Sequence, residues 1–314
     1  MQNLLYAFNA VAPVFLLVFI GYVLRRADII SSNYTKTSSK LVFSVSLPAL
    51  IFTKLHETDF TGSFDIIQIT LVLAGFISFF FLTWLLSKKL TNDGIDQGVF
   101  IQGAVRSNYA IVGFAITLNL FSESALVKAA ILLAFAMPLF NVLGVIALTI
   151  PAQRGNTINP LKTLRDILTN PLIIAIIISL IFPFLKIKVP VLFAKTLNYL
   201  AVLSLPVALL GIGASFNFKS IRKDFKLTAI ATAIRILIMP IMLTYIAILL
   251  GYRGEELGVM FILFGTPTAI ASYIMAEAMA SNSELAGNII LVTTFGSVFT
   301  ISLGIFALKC IGLI

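Results

Sequence analysis

Ten apolar stretches follow one another along this 314-residue chain, at residues 5–24, 41–54, 64–86, 99–121, 126–150, 171–185, 197–216, 227–250, 257–280 and 288–307. Most match the ~20 helical residues that cross a bilayer core. The fourth is interrupted by Arg106-Ser107-Asn108-Tyr109, with Gly113 just beyond, and the ninth by Gly265-Thr266-Pro267-Thr268. Inside hydrocarbon every backbone polar group needs a partner, so a broken helix at that depth survives only where it lines a cavity or is buried in protein. Two such breaks restrict the fold more tightly than any other feature of the chain.

The helix breakers recur at one offset of 158 residues. Pro13 pairs with Pro171, Leu47-Pro48-Ala49-Leu50 falls on Leu205-Pro206-Val207-Ala208, and Ser107-Asn108-Tyr109 falls on Gly265-Thr266-Pro267. Each half holds five stretches, an odd number, so the second copy enters the membrane in the opposite sense. The expected fold is therefore an all-α integral membrane protein of ten transmembrane helices in two inverted five-helix repeats. Residues 1–150 form the first repeat, 151–170 a cytoplasmic connecting loop and 171–314 the second repeat, with Pro48 and Pro206 as paired kinks. Inverted repeats with interrupted helices in corresponding positions are the signature of secondary transporters whose substrate sits at the breaks.

Composition narrows the function classes. Hydrophobic residues make up 59% and charged residues 11% of the chain, against roughly 25% charged in soluble domains. One cysteine, Cys310, and one histidine, His56, give no support to disulfides, multi-ligand zinc sites or Ser-His and Cys-His catalysis. No paired carboxylates or histidine clusters fall at midplane depth, so neither an enzyme nor a cofactor is expected. The net charge of +9 comes from basic residues flanking apolar runs, which speaks for topology rather than a nucleic-acid partner. With the N-terminus outside, thirteen Lys and Arg face the cytoplasm and seven the other side, while Arg106 and Arg235 lie within stretches. The expectation is a multi-pass protein of the cell membrane with both termini extracytoplasmic. The first stretch lacks the basic flank and small-residue cleavage site of a secretory signal and reads as a retained span.

Arg106 begins the break about 12 Å along the fourth helix. A midplane arginine costs several kcal/mol unless it pairs or faces water. It is read as a functional group, with a snorkelling or ion-paired structural arginine as the alternative. If the fourth and ninth spans unwind and cross, four half-helix ends meet at the centre, and N-terminal ends favour an anion that Arg106 would reinforce. The candidate substrate site comprises Arg106, Ser107, Asn108, Tyr109, Gly113, Gly265, Thr266, Pro267, Thr268 and Tyr273. Asn108, Thr266 and Thr268 would hydrogen-bond the substrate or replace lost backbone contacts. Glu277 would couple protons or form an ion pair with Arg106 or Arg235, the structural pairing being the preferred reading.

These residues carry a resemblance. Leu47-Pro48-Ala49-Leu50 after Leu41-Val42-Phe43, the spacing of Asn108 to Gly113, and Pro267-Thr268 followed by Tyr273, Ala276 and Glu277 resemble the auxin efflux carrier family, which includes bacterial malate and malonate permeases and plant auxin exporters. The resemblance implies crossed fourth and ninth helices, a scaffold of spans 1, 2, 6 and 7 beside a mobile group of the other six, a homodimer, and a substrate site at Asn108 and Thr266-Pro267-Thr268. Some relatives place a proline before the asparagine, where this chain has Ser107. The expected function is secondary transport of a small organic anion, a mono- or dicarboxylate such as malate, malonate or an auxin-like acid. The alternatives are a sodium-coupled symporter of an organic anion and a membrane sensor of the same fold.

Overall fold

The structure is a computed structural model that describes residues 16, 17, 19–56, 65–113, 116, 117, 120, 121, 123–153, 165, 168, 169, 171–185, 187–215 and 224–314. Pro13, the start of the first stretch and most of the expected 151–170 loop lie outside them. Among the described residues every regular element is a helix. Four are long and apolar enough to cross a membrane uninterrupted: Ile66–Leu90, Ile131–Thr149, Phe225–Leu249 and Ser283–Cys310. The others are shorter or broken.

In chain order the helices are α1 (19–26), α2 (Ser32–Leu41), α3 (Leu47–Leu55), α4 (Ile66–Leu90), α5 (Gly94–Val105), α6 (Glu123–Thr149), α7 (Pro171–Phe184), α8 (Val191–Val202), α9 (Ser204–Ser215), α10 (Phe225–Ala233), α11 (Met239–Leu249), α12 (Gly254–Gly265), α13 (Ala271–Ala278) and α14 (Ser283–Cys310). Their starts are chemically marked. Asp65 accepts from the amides of Ile67 and Gln68, Asp93 from Ile95, and Asn282 from Leu285. Each side chain satisfies donors that a first helical turn leaves open. Asn282 also donates to Asp96 at 2.7 Å, tying the start of α14 to that of α5.

Pro48 and Pro240, inside apolar runs, are absorbed by wide turns. A π-turn, Val42–Ser46, joins α2 to α3, and another, Ile234–Ile238, joins α10 to α11. In each, the residue before the proline's own position sends its amide five residues back, Leu47 to Val42 and Met239 to Ile234. That widening makes room for the rings of Pro48 and Pro240, which would otherwise strike the preceding turn. Pro206 sits in the first turn of α9, after a turn at Leu203, where a missing amide costs little.

The element bounds correct the sequence register. Pro48 and Pro206 keep the 158-residue offset, but α5 and α12, each twelve residues long, begin at Gly94 and Gly254 and end at Val105 and Gly265, an offset of 160. Arg106 is thus the counterpart of Thr266, not of Phe264. The connections absorb the difference one residue at a time: the α10–α11 run already lies 159 beyond α4, and four residues, 250–253, precede α12 where three, 91–93, precede α5. Loop length is weakly constrained, whereas the depth of a helix break is not.

Two groups of helices pack side by side. α3 packs on α7 and α8, and α2 on α9, while α4, α5, α6 and α10 to α14 form a larger group around α5. Phe76, Phe100, Phe264, Leu257 and Ile289 lie at its centre with no exposure. Ile66, Phe81, Leu82 and Leu85 point outward from α4, as apolar side chains facing lipid do. Within the larger group backbones approach closely: a Cβ at Gly98 would overlap the carbonyl of Ala147 in α6.

Gly98→Ala is expected to lower the thermal unfolding midpoint of the purified protein, because a backbone carbonyl cannot step aside; overpacking of this kind costs about 1–3 kcal/mol. Gly265→Ala, whose added carbon would meet nothing nearer than 3.5 Å, is expected to leave the midpoint unchanged. Differential scanning of intrinsic fluorescence compares the two.

Candidate functional site

The two broken helices meet end to end at the centre of the larger group. α5 stops at Val105 and Arg106 turns extended, with φ −72° and ψ 119°. α12 stops at Gly265 and Thr266 turns likewise, with φ −62° and ψ 151°. The freed segments pair as a short antiparallel bridge between Ser107 and Thr268. The Asn108 amide donates to the Pro267 carbonyl at 2.9 Å and the Ala269 amide to the Arg106 carbonyl at 3.1 Å.

Each break also caps the helix opposite. The Leu263 carbonyl would normally accept from residue 267, but Pro267 has no N–H. The Ser107 hydroxyl takes that place at 3.0 Å. Reciprocally, Thr268 Oγ1 donates to the Gly103 carbonyl at 2.6 Å, and Gly103 and Leu263 are themselves 160 residues apart. Ser107 and Thr266 hydroxyls bond to one another, and the Thr268 amide donates to Thr293 Oγ1 of α14 at 3.1 Å. Side-chain hydroxyls thus stand in for the backbone partners that the breaks remove.

Beside this crossover lies a cavity of about 470 Å³, within the range that accommodates a small organic ligand. It separates the two helix groups. One wall comes from α3, α8 and α9, including Leu47, Thr53, Asn198, Ser204 and Pro206; the other from the α5 break, α6 and α13, including Arg106, Ser107, Asn108, Phe140, Asn141 and Ile274. Among the described residues Arg106 is the one ionisable side chain on these walls. Its Nη2 donates to Asn141 Oδ1 and its Nη1 to the Met275 thioether at 2.6 Å. Asn141 in turn donates through Nδ2 to the Met137 carbonyl at 2.9 Å, which orients its oxygen toward Arg106. Gly144 leaves the space for this cluster, since a Cβ there would lie 2.9 Å from Gln102 Nε2 and 3.0 Å from Arg106 Nη1. Among the described residues no carboxylate is ion-paired with Arg106.

The structure distributes the expected site residues over two layers. Arg106, Ser107, Asn108 and Pro206 border the cavity. Thr266 and Thr268 are fully enclosed behind it and hold the crossover, as do Gly265 and Pro267. Tyr109 is enclosed too, its ring lying so close over Gly113 that a Cβ there would overlap it. Tyr273 reaches from α13 toward α9, where a Cβ at Gly211 would lie 3.4 Å from its hydroxyl. Pro48 follows its π-turn one residue from Leu47 on the cavity wall. Among the described residues no ion pair joins Glu277 to Arg106 or Arg235. Arg235 instead faces the end of α12, 28 residues along the chain, at the Leu263 carbonyl. Lys128 and Glu256 form an ion pair at 2.8 Å, at the far end of α6 and α12. Sequence reading missed Asn141 and Met275. Asn141 was detectable as an amide in the middle of the fifth apolar stretch; Met275 carried no signal.

Known proteins place the chain. The family model described as membrane transport protein matches residues 6–154 and 156–305, in agreement with the resemblance to the auxin efflux carrier family. An "Uncharacterized transporter" of Methanothermobacter thermautotrophicus is 25% identical over 301 residues, covering 94% of this chain and 96% of that protein. The transporter YfdV of Escherichia coli strain K12 is 21% identical over 311 residues, with 95% and 96% covered. A "Putative malonate transporter" of Rhizobium meliloti is 22% identical over 300 residues, with 93% and 92% covered. The relatives are membrane transporters, not enzymes.

Thr268→Ala is expected to destabilise the fold by about 1–3 kcal/mol, the cost of leaving a buried acceptor without its donor. Ser107→Ala should cost less, because the Leu263 carbonyl keeps Arg235 and Thr266 as donors. Denaturation of the two variants in the same detergent ranks them.

Proposed function

We infer that this chain, which belongs to the membrane transport protein family, is a secondary carrier of a small organic anion working by alternating access. The observation that carries this reading is Arg106, a buried guanidinium on the wall of the cavity whose two polar contacts, Asn141 and Met275, are both neutral. A buried charge with neutral partners is electrostatically incomplete, and a carboxylate entering the cavity completes it. Asn108 borders the same space and supplies an amide. The apolar part of the lining, with Leu47, Leu133 and Phe140, excludes water and strengthens the attraction.

Several features support alternating access. The cavity sits between the two helix groups, so a displacement of one against the other moves Arg106 relative to α3 and α8. α5 and α12 match in length, as do α4 and the α10–α11 run at 25 residues each, as ten spans in two inverted repeats require. Extracytoplasmic termini, a scaffold of spans 1, 2, 6 and 7, and a homodimer belong to the same proposal. The malonate name of the Rhizobium meliloti relative favours a carboxylate. An interior-negative membrane favours exit of such an anion by about 2.3 kcal/mol per charge per 100 mV, so export runs without coupling and uptake needs a driving ion or exchange.

Labelled malate, malonate and indole-3-acetate are offered to proteoliposomes in uptake and counterflow assays under an imposed pH gradient. Wild type is expected to show saturable flux, with Arg106→Ala and Asn108→Ala reducing it on the order of tenfold or more, the equivalent of one charge-assisted hydrogen bond. Folded wild type that moves none of these acids saturably would sink the carboxylate assignment, and unchanged flux in Arg106→Ala would remove Arg106 from the site.

A further inference from the structure

A second buried arginine lies on the other side of the crossover. Arg235, in the π-turn between α10 and α11, has no exposed surface. Its Nη2 lies 3.2 Å from the Leu263 carbonyl and 3.5 Å from Thr266 Oγ1, its Nη1 donates to the Met239 thioether at 2.9 Å, and Nε has no hydrogen-bond partner. The guanidinium carbon stands 5.9 Å from the centre of the Phe76 ring. Among the described residues no carboxylate is ion-paired with it.

What Arg235 faces is an electronegative end. The last turn of α12 presents the negative pole of a half-helix, and Pro267 deprives the Leu263 carbonyl of its helical donor. Unwound carbonyls and hydroxyls at half-helix C-termini are the groups with which secondary transporters hold a monovalent cation. Here a guanidinium, which does not lose its proton in proteins, reaches those groups. The opposite end, at the Gly103 carbonyl, is met by the Thr268 hydroxyl, and the position matching Arg235, at the 159-residue offset between α4 and the α10–α11 run, is Phe76. A guanidinium thus donates to the open carbonyl of α12, whereas a neutral hydroxyl meets that of α5.

We propose that Arg235 is a tethered cation filling a cation site at the end of α12, so that the carrier moves its anion without a metal-cation co-substrate. The second half rests on the carrier reading; the first does not. Full-length protein is melted in detergent in sodium, lithium or potassium chloride and in choline chloride at equal ionic strength, and anion flux is measured in the same salts. Wild type and Arg235→Lys are expected to melt alike in all of them, and wild-type flux to be equal in sodium and choline. Arg235→Ser is expected to melt several degrees lower and to be restored saturably by sodium or lithium, as mass action on a vacated site requires. A saturable sodium stabilisation of wild type, or sodium-dependent flux, overturns the proposal, and so does an Arg235→Ser protein that folds and responds to no cation. Because melting needs no substrate, absence of flux for every acid counts against the carrier reading alone.

Discussion

The structure hangs on one exchange of hydrogen bonds. Two helices stop at the centre of the larger group, and each break supplies a hydroxyl to the carbonyl that the other leaves open: Ser107 to Leu263 and Thr268 to Gly103. The short bridge between Ser107 and Thr268 satisfies the Asn108 and Ala269 amides, and Thr293 that of Thr268. In an apolar interior each of those groups left unmet costs several kcal/mol. Neither break is therefore tenable without the other, and the helices around them, α4, α6, α10 and α14, are arranged to enclose the pair.

Two arginines follow from that arrangement. Arg106 is the first residue of one break and Arg235 reaches the last turn before the other. Both are met by neutral groups: Asn141 and the Met275 thioether for Arg106, a carbonyl, Thr266 and the Met239 thioether for Arg235. Their surroundings differ in one respect that separates their roles. Arg106 borders the cavity, whereas Arg235 is sealed in protein. A charge open to the cavity can exchange partners, and a sealed one is a fixed feature of the field in which that exchange takes place.

Small residues make the arrangement possible. Gly144 gives the Arg106 cluster its room, Gly113 lies under the Tyr109 ring, and Gly98 lets α5 and α6 touch backbone to backbone. Apolar helices gain little from hydrophobic contact in lipid, so close packing through small residues carries much of their association. The same closeness leaves little room inside the larger group, and the cavity lies between it and the smaller one.

Membrane character, the transporter class and the places where the fourth and ninth apolar stretches break were legible in the sequence, because hydropathy and a missing proline amide are local properties. Arg106 and Asn108 stood out for the same reason: polar groups inside apolar runs are rare enough to be seen without knowing their neighbours. Partnership was not legible. The 158-residue register holds for Pro48 and Pro206 but gives way to 160 at the breaks, since loops absorb single residues without penalty. Glu277, readable as a proton coupler or a counter-ion, forms an ion pair with neither arginine, and Thr266 and Thr268, readable as substrate ligands or as replacements for lost backbone contacts, are enclosed at the crossover. The sequence by itself determined that two helices must break inside the membrane. Which carbonyl meets which hydroxyl, and which arginine faces the cavity, only the tertiary structure decided, because those pairings join residues more than 150 positions apart or depend on how neighbouring helices pack.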